Sequence, residues 1–393
     1  MTRLVPIVAL LTLAALLAPP ATAAPPPLYG VTWDGSLGLS RIDRETLRPL
    51  PGRRVPVARE PLGWSFAPDR SRLALGSVAR GAKLRLIDLR AMRMLGDITV
   101  SRRGSGIATA WAGPRRVLSV VVTPGCCGAG DTVVAGVDAV RRRVLWRRQL
   151  GGSLQAGERF RRGLVLVLGP PGHSIGPSRL VRIGPRGGVR STMLPDILSG
   201  TEPGGRVTRS WDPGLALDRA GGRAFVVQAE APVAEVDLAT MEAQSHTLGP
   251  AARAADALAG PERHALWLGG GVLAVTGLDR EDTPAGLTLV DTRSWSAERI
   301  DQRTTDLTLA GDTLLAYTYP ARRGGLTGYA LDGSRRFRVF RGNAIFGVQG
   351  LGPNALVGAR NGNTLIDART GRPLRRFRIF AMSLLGQDPP VMY

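Results

Sequence analysis

Short apolar runs separated by polar turns recur along the whole chain. The clearest example is the apolar pair Leu365-Ile366, which ends in Asp367, followed by a polar turn with Gly371 and an alternating segment from Pro373. Apolar alternation on both sides of a short glycine-containing turn is typical of a β-hairpin. The pattern therefore predicts two antiparallel strands at this point, and helical periodicity is nearly absent elsewhere.

The same hairpin pattern occurs eight times, and its turns serve as landmarks. They begin at Asp43, Asp88, Asp138, Gly184, Asp237, Asp291, Asp332 and Asp367. Successive landmarks lie 35 to 54 residues apart, which is close to the roughly 40–50 residues of four-stranded repeat units. The repetition indicates an array of eight similar units.

One unit shows all four strands clearly. The strand 62–69 ends in a Pro68-Asp69 turn, and strands 72–78, 84–88 and 94–100 follow. This order of strands and turns resembles the blades of YVTN-type and WD-repeat-like β-propellers. The resemblance implies an all-β β-propeller with eight four-stranded blades, and seven blades is the alternative because Gly184 replaces the landmark aspartate.

The two ends of the chain complete the count. The first unit contains only three strands, at 28–33, 37–42 and 47–50, whereas the segment 381–388 resembles an isolated first strand. We expect the C-terminal strand to join the N-terminal blade, because a closed ring leaves no open sheet edge.

The N-terminus has the pattern of a secretory signal peptide. Arg3 precedes an apolar run over 4–18, and a small-residue site ends at Ala23. We expect a signal peptide over 1–23, a proline-rich spacer over 24–28 and a single β-propeller domain over 29–393. The run is shorter than the roughly 20 residues of a membrane span, so we expect a secreted, extracytoplasmic protein with no span after cleavage.

The charge of the chain is strongly positive. The formal net charge is +21, and Lys83 is the only lysine. Many of the arginines fall on the fourth strand of a unit, where charge protects sheet edges from pairing. One interpretation is attraction to an unknown protein, a glycan or another anionic cell-surface ligand, and the other is solvated strand edges with a compositional bias. No nucleic-acid motif accompanies the arginines, so nucleic acid is not favoured as a partner. We also expect the protein to be a monomer.

The most unusual pair of residues is Cys126-Cys127, in a glycine-rich loop that ends at Asp131. They are the only two cysteines, so within one chain they can pair only with each other in an oxidising compartment. We expect a vicinal disulfide, and a free dithiol or links between chains are the alternatives. Alkylation under denaturing, non-reducing conditions distinguishes them, since two alkylations exclude the ring.

A second resemblance concerns this blade. Residues 136–146 are similar to the Asp-Ala-x-Thr-Gly-x-x-x-Trp signature of quinoprotein alcohol dehydrogenases, and 367–371 contain its first half. That resemblance implies pyrroloquinoline quinone (PQQ) and calcium beside a vicinal disulfide. However, one blade alone keeps the tryptophan, and no cluster of Glu, Asn and Asp matches the calcium site. We therefore expect no cofactor, with PQQ or calcium as the less favoured alternative, and we expect the disulfide to stiffen the loop.

Other candidate ligand residues lie in loops between second and third strands. These loops share one face of a propeller with the connections between blades, here called the top face. The candidates are Cys126, Cys127, Asp131, His173, Asp279, Glu281, Asp282 and Tyr319. The acidic loop is compatible with calcium or with lactone hydrolysis, and YVTN-like folds include lactonases. The three histidines, His173, His246 and His264, are widely spaced, so we expect them at surface or turn positions and predict no metal site. We also predict no catalytic residue.

These observations predict a non-catalytic binding or scaffold protein that recognises its ligand with top-face loops. The alternative is an extracytoplasmic propeller enzyme, either a quinone-dependent dehydrogenase or a lactonase.

Overall fold

The computed structural model of the protein describes residues 27–33, 36–57, 63–78, 81–123, 130–172, 174–202, 209–228, 232–248, 262–278, 283–319, 324–360, 362–377 and 383–385. These residues form 33 strands in eight antiparallel sheets and contain no helix. The sheets are the blades of an eight-bladed β-propeller, as the repeat count predicts, and the seven-bladed alternative is wrong.

Blades are numbered here in chain order. Blade 1 contains β1 (Leu28–Trp33), β2 (Leu37–Ile42) and β3 (Val55–Pro56); blade 2 contains β4 (Gly63–Phe66), β5 (Arg72–Val78), β6 (Ala82–Asp88) and β7 (Arg93–Ser101); blade 3 contains β8 (Ser105–Gly113), β9 (Arg116–Val122), β10 (Thr132–Asp138) and β11 (Arg143–Gln149); blade 4 contains β12 (Leu154–Phe160), β13 (Gly163–Leu168), β14 (Ile175–Ile183), β15 (Val189–Glu202) and β16 (Arg209–Trp211). In blades 2 to 4 the strands pair in chain order, so each of these blades is a simple meander.

The second half of the chain repeats this order. Blade 5 contains β17 (Gly214–Asp218), β18 (Arg223–Val227), β19 (Val233–Asp237) and β20 (Ala243–His246); blade 6 contains β21 (Glu262–Gly269), β22 (Val272–Leu278), β23 (Leu287–Asp291) and β24 (Ser296–Asp301); blade 7 contains β25 (Asp306–Ala310), β26 (Thr313–Tyr317), β27 (Leu326–Tyr329) and β28 (Arg335–Val339); blade 8 contains β29 (Ile345–Leu351), β30 (Asn354–Ala359), β31 (Gly362–Asp367) and β32 (Pro373–Phe377). The first strand of each meander lies innermost, beside the central channel.

The ring closes through the last described strand. β33 (Ser383–Leu384) pairs antiparallel with β1, with Gly30 opposite Leu384 and Val31 opposite Ser383. The Leu385 amide donates to the Tyr29 carbonyl over 2.7 Å. The predicted closure is therefore confirmed, because β33 takes the innermost position of blade 1.

The hydrophobic core is divided among the spaces between blades. The described residues form eight apolar clusters, and each joins two neighbouring blades, including one between blades 8 and 1. Middle strands are consequently buried on both faces, as β13 and β26 are over almost their whole length. Burial on both faces explains why these strands are continuous apolar runs rather than alternating ones.

The landmark aspartates cap the turn between the third and fourth strands. Asp138 Oδ1 accepts hydrogen bonds from the amides of Val140 and Arg141 over 2.9 and 2.8 Å, and Asp237 and Asp367 cap their turns in the same way. Asp side chains are favoured in turns for this reason. At Gly184 the turn is closed by two backbone hydrogen bonds instead. The Gly187 amide donates to the Gly184 carbonyl, and the Gly184 amide donates to the Gly188 carbonyl.

Two blades differ from the predicted pattern. Blade 4 has a fifth strand, because the 14-residue β15 extends past β14 and pairs with β16. In blade 1, the outer strand predicted at 47–50 is wrong: β3 at Val55–Pro56 takes that place, and Pro49 makes only an isolated bridge to Ile42. Proline has no amide to donate, so Pro49 and Pro51 cannot continue the ladder.

Arginines link neighbouring blades. Arg41 of blade 1 donates to the Leu89 carbonyl of blade 2 over 3.0 Å, and Arg116 of blade 3 donates to the Pro185 carbonyl of blade 4 over 3.0 Å. Arg182 of blade 4 donates to the Leu238 carbonyl of blade 5. Each guanidinium reaches the turn between the third and fourth strands of the next blade, so part of the arginine content is structural.

Candidate functional site

An open cavity of about 380 Å³ lies in the central channel beside blades 4 to 7. Its wall comes from the innermost strands β12, β17, β21 and β25, and its rim includes Leu278 and Tyr319 at the ends of second strands. Second strands end on the top face, so the cavity opens at the top mouth of the channel. Its volume is within the range of small-molecule sites.

Glu262 and His264 form the central polar pair of the cavity. They are two residues apart on β21, so both side chains project from the same side of the strand. His264 Nε2 and Glu262 Oε1 are 3.1 Å apart. Glu262 is 40% exposed and His264 is 22% exposed, which places the carboxylate nearer to solvent.

The surroundings of this pair shift both of its pKa values. Burial alone would lower the pKa of His264, but the hydrogen bond to Glu262 and the charges of Asp306, Glu262 and Asp212 outweigh burial and raise it above 6.5. The same hydrogen bond lowers the pKa of Glu262 below 4.5, against the opposing effect of burial. The imidazolium–carboxylate form is therefore favoured in the cavity.

Asp306 is held at the start of β25. Its Oδ2 accepts a hydrogen bond from the Tyr317 hydroxyl over 2.6 Å, and its Oδ1 accepts one from the Leu307 amide over 2.7 Å. Burial, followed by the neighbouring Asp306 charge, raises the pKa of Tyr317. Tyr317 consequently remains a neutral donor that orients the carboxylate.

Glu158 lies further along β12 and is paired with Arg219 of blade 5, with Oε2 and Nη2 2.6 Å apart. Burial nevertheless raises the pKa of Glu158, and the positive charge of Arg219 offsets this only in part. This pair joins blades 4 and 5 below the cavity mouth.

The buried Arg263 fixes the rim of the cavity through backbone contacts. Its Nη1 donates to the carbonyls of Glu262 and Leu278, over 2.8 Å each, and its amide donates to the Asp212 carbonyl over 2.8 Å. These bonds connect the ends of β21 and β22 with the segment that leads into blade 5. The two sides of the rim are therefore held together.

The structure brings one of the sequence-predicted residues to this cavity. Tyr319 is 46% exposed on the rim, and its amide donates to Thr305 Oγ1 over 2.7 Å. Cys126, Cys127, His173, Asp279, Glu281 and Asp282 lie outside the described residues. The acidic loop follows Leu278, which lines the cavity.

Asp131 lies on the top face, where its carboxylate has a structural role. Its Oδ1 accepts a hydrogen bond from the Gly152 amide over 3.2 Å, and its Oδ2 accepts one from Gln149 Nε2 over 3.1 Å. These contacts fasten the end of the cysteine loop to the connection between blades 3 and 4.

The sequence-based candidates omitted Glu262, His264 and Asp306. The expectation that all histidines occupy surface or turn positions is wrong for His264, because β21 is an innermost strand. An available signal was the Glu-x-His spacing at the start of a first strand, since starts of first strands converge on the channel mouth. His246, by contrast, lies on an outer strand and stacks on Trp295 with ring centroids 3.7 Å apart.

Two further observations concern the described part of the chain. It contains no group of three or more His, Cys, Asp or Glu side chains placed to hold a metal ion. It also contains no helix with the length and apolar character that a membrane crossing requires.

Comparisons with known proteins support the fold. No protein-family model matches the chain, and no curated protein matches it by sequence. Among solved structures, dihydro-heme d1 dehydrogenase NirN in complex with DHE is similar, with 14% identity and a TM-score of 0.63 over 94% of this chain and 77% of that one. BamB from Moraxella catarrhalis is 12% identical, with a TM-score of 0.51 over 86% and 94% of the two chains. The computationally designed Ika8 protein is 12% identical, with a TM-score of 0.50 over 80% and 86%.

The eight sheets of the described residues define the class of protein as an eight-bladed β-propeller, and these similarities support that fold. They include a protein named as an enzyme and a designed protein. The fold alone therefore does not select between catalysis and binding.

Proposed function

We propose that this protein is a secreted binding protein that holds a small polar molecule in the top mouth of its central channel. The observation that carries the proposal is the open cavity of about 380 Å³ with Glu262, His264 and Asp306 on its wall. Leu278 and Tyr319, where top-face loops begin, lie on the rim of this cavity, and loops in such positions set specificity.

The hydrogen bonding of the cavity supports binding. Asp306 is oriented by Tyr317, and Glu262 by His264, before any ligand arrives. Polar groups fixed in advance lose little freedom when a ligand binds, which favours affinity. Carboxylates beside apolar walls such as Leu215 and Leu307 suit a ligand with hydroxyl or amine donors on an apolar frame.

A second candidate function is an extracytoplasmic enzyme, and the Glu262–His264 pair favours it. A histidine hydrogen-bonded to a carboxylate in an open cavity has the arrangement of a general acid or base. A lactonase-like hydrolysis would place a water or leaving group beside His264. Turnover of a lactone by the wild type, lost in His264→Ala, would support this candidate over simple binding.

The binding proposal is tested with protein purified from its own host. Native mass spectrometry and an ultraviolet–visible spectrum would report a bound molecule, and a screen of polar metabolites by thermal shift would identify further ligands. We expect ligand mass or thermal stabilisation in the wild type and its loss in His264→Ala and Tyr319→Ala.

The matched control is His246→Gln, which changes a histidine outside the cavity. It should keep the ligand response of the wild type. A bare protein mass together with no stabilising compound, or equal ligand loss in the His246 variant, would contradict the proposal.

A further inference from the structure

The outer edges of the blades differ sharply in charge around the ring. An outer hairpin is defined here as the turn after the third strand, the fourth strand and up to two residues that follow it. Residues 42–57, 87–103, 137–149, 331–341 and 366–377, from blades 1, 2, 3, 7 and 8, contain 21 arginines and 7 acidic residues. Residues 183–202, 236–248 and 290–303, from blades 4 to 6, contain 5 arginines and 7 acidic residues.

Ring closure makes the five positive blades contiguous. Because β33 completes blade 1, blades 7 and 8 lie next to blades 1, 2 and 3. The outer hairpins of these five blades therefore form one continuous surface, here called the arginine arc. A uniform compositional bias would have raised the arginine content of all eight hairpins, so it does not explain the arc.

Many guanidinium groups of the arc face solvent and have no side-chain partner among the described residues. Each of its blades has at least two exposed arginines for which the described residues provide no side-chain hydrogen bond or ion pair, among them Arg48 and Arg53, Arg102 and Arg103, Arg141 and Arg143, Arg335 and Arg338, and Arg369 and Arg376. Others are engaged, as Arg336 is with Asp312 over 2.8 Å. The free groups are spread along the arc, which suits an extended partner.

We propose that the arginine arc binds a linear phosphate polymer of the cell envelope along the rim of the ring. Guanidinium groups bind phosphate through paired N–H donors, and a row of them raises affinity through the summed field. The exposed aromatic side chains among the described residues, Tyr319 and Phe346, lie outside the arc. Recognition would therefore follow backbone charge and would not use the base stacking of single-stranded nucleic acid.

The test measures binding of fluorescent poly(glycerol phosphate) at several salt concentrations. Wild-type affinity should fall steeply with salt. In the variant Arg141→Ser/Arg143→Ser/Arg335→Ser/Arg376→Ser, we expect affinity to fall roughly ten-fold or more and the salt slope to decrease by about 3, as counterion release predicts for four lost contacts. Inorganic polyphosphate serves as a second probe, and tighter binding to it would identify a free rather than an envelope-borne polymer.

The matched control is Arg186→Ser/Arg293→Ser/Arg299→Ser/Arg303→Ser, which removes the same charge from exposed positions in blades 4 and 6. It should change affinity less than two-fold, and both variants should melt as the wild type does. Equal weakening in the two variants would overturn the arc in favour of net charge alone. Tighter binding of single-stranded DNA than of poly(glycerol phosphate) of equal charge, or no binding of any probe, would also overturn the proposal.

Discussion

At the scale of single residues, the turns between third and fourth strands place ordinary side chains in left-handed backbone. The fourth residue after the landmark aspartate has a positive φ at Leu47 (50°), Met92 (45°) and Met241 (67°), and Gly371 has 72° at the same position. Such a conformation costs about 1–2 kcal/mol for a residue with a Cβ. Leu47, Met92 and Met241 are each less than 8% exposed, so their burial offsets the strain.

Gly371 provides a test of this account. A Cβ at this position would lie 2.4 Å from Phe337 Cδ2, so Gly371→Ala adds a clash to the backbone strain. We expect it to lower the free energy of unfolding by about 2–4 kcal/mol, measured by urea denaturation.

Gly352→Ala is the control for strain alone. Its φ is +71°, but no atom lies within 4 Å of the added Cβ, so the expected loss is only about 1–2 kcal/mol. Equal losses in the two variants would show that Phe337 moves aside at no cost.

The Glu262–His264 pair makes stability depend on pH. The raised pKa of His264 stabilises the fold fully below its unfolded value near 6.5, and this contribution is lost as pH rises through the folded pKa. The lowered pKa of Glu262 contributes above about 4.5 and is lost as pH falls through its folded value. The pair therefore stabilises most between about pH 4.5 and 6.5.

We expect His264→Gln to destabilise the protein more at pH 5.5 than at pH 8.5. The difference should be less than about 1 kcal/mol, because Glu262 is partly exposed and solvent screens the pair. Urea denaturation of the wild type and the variant at both pH values measures it. A pH-independent difference would show that His264 contributes by packing alone.

At the scale of elements, the alternation of apolar and polar residues predicted the strands well, but it did not predict which side chains line the cavity. β5 is found at 72–78, as predicted, and β7 differs from its predicted range by one residue at each end. Strand periodicity is a local property of the chain. The cavity was not predictable in the same way, because Glu158, Glu262 and Asp306 come from three blades and meet only through the curvature of the ring.

Two blades differ from the predicted strand pattern, and each difference has a local cause. Prolines that interrupt the ladder moved the outer strand of blade 1 to 55–56, and a long β15 gave blade 4 a fifth strand. The arginine pattern was visible in the sequence, but the bonds from Arg41 and Arg116 to the next blade depend on blade order. Only the three-dimensional structure therefore distinguishes the arginines that link blades from those that face solvent.

At the scale of the whole molecule, one short strand pairing closes the ring. β33 pairs with β1 over two residues, and Leu384 and Leu385 are buried in the clusters on the two sides of blade 1. We expect truncation after Phe380 to lower the melting temperature by many degrees, because blade 1 loses its innermost strand and two core clusters lose a leucine. Differential scanning calorimetry measures the change.

Truncation after Leu385 is the matched control, since it removes the following residues but keeps β33. It should melt much closer to the full chain. An unchanged melting curve for the shorter truncation product, ending at Phe380, would show that the closure contributes nothing to stability.

The position of the closure also has a practical meaning. In a ring of eight, blade 1 stands opposite blade 5, and the cavity lies beside blades 4 to 7. A label, tether or fused domain joined near Leu28 or Leu385 is consequently attached across the ring from the cavity mouth. Positions near Leu28 and Leu385 therefore offer handles for immobilising the protein, in sensor surfaces or single-molecule experiments, while the proposed ligand site stays open to solution.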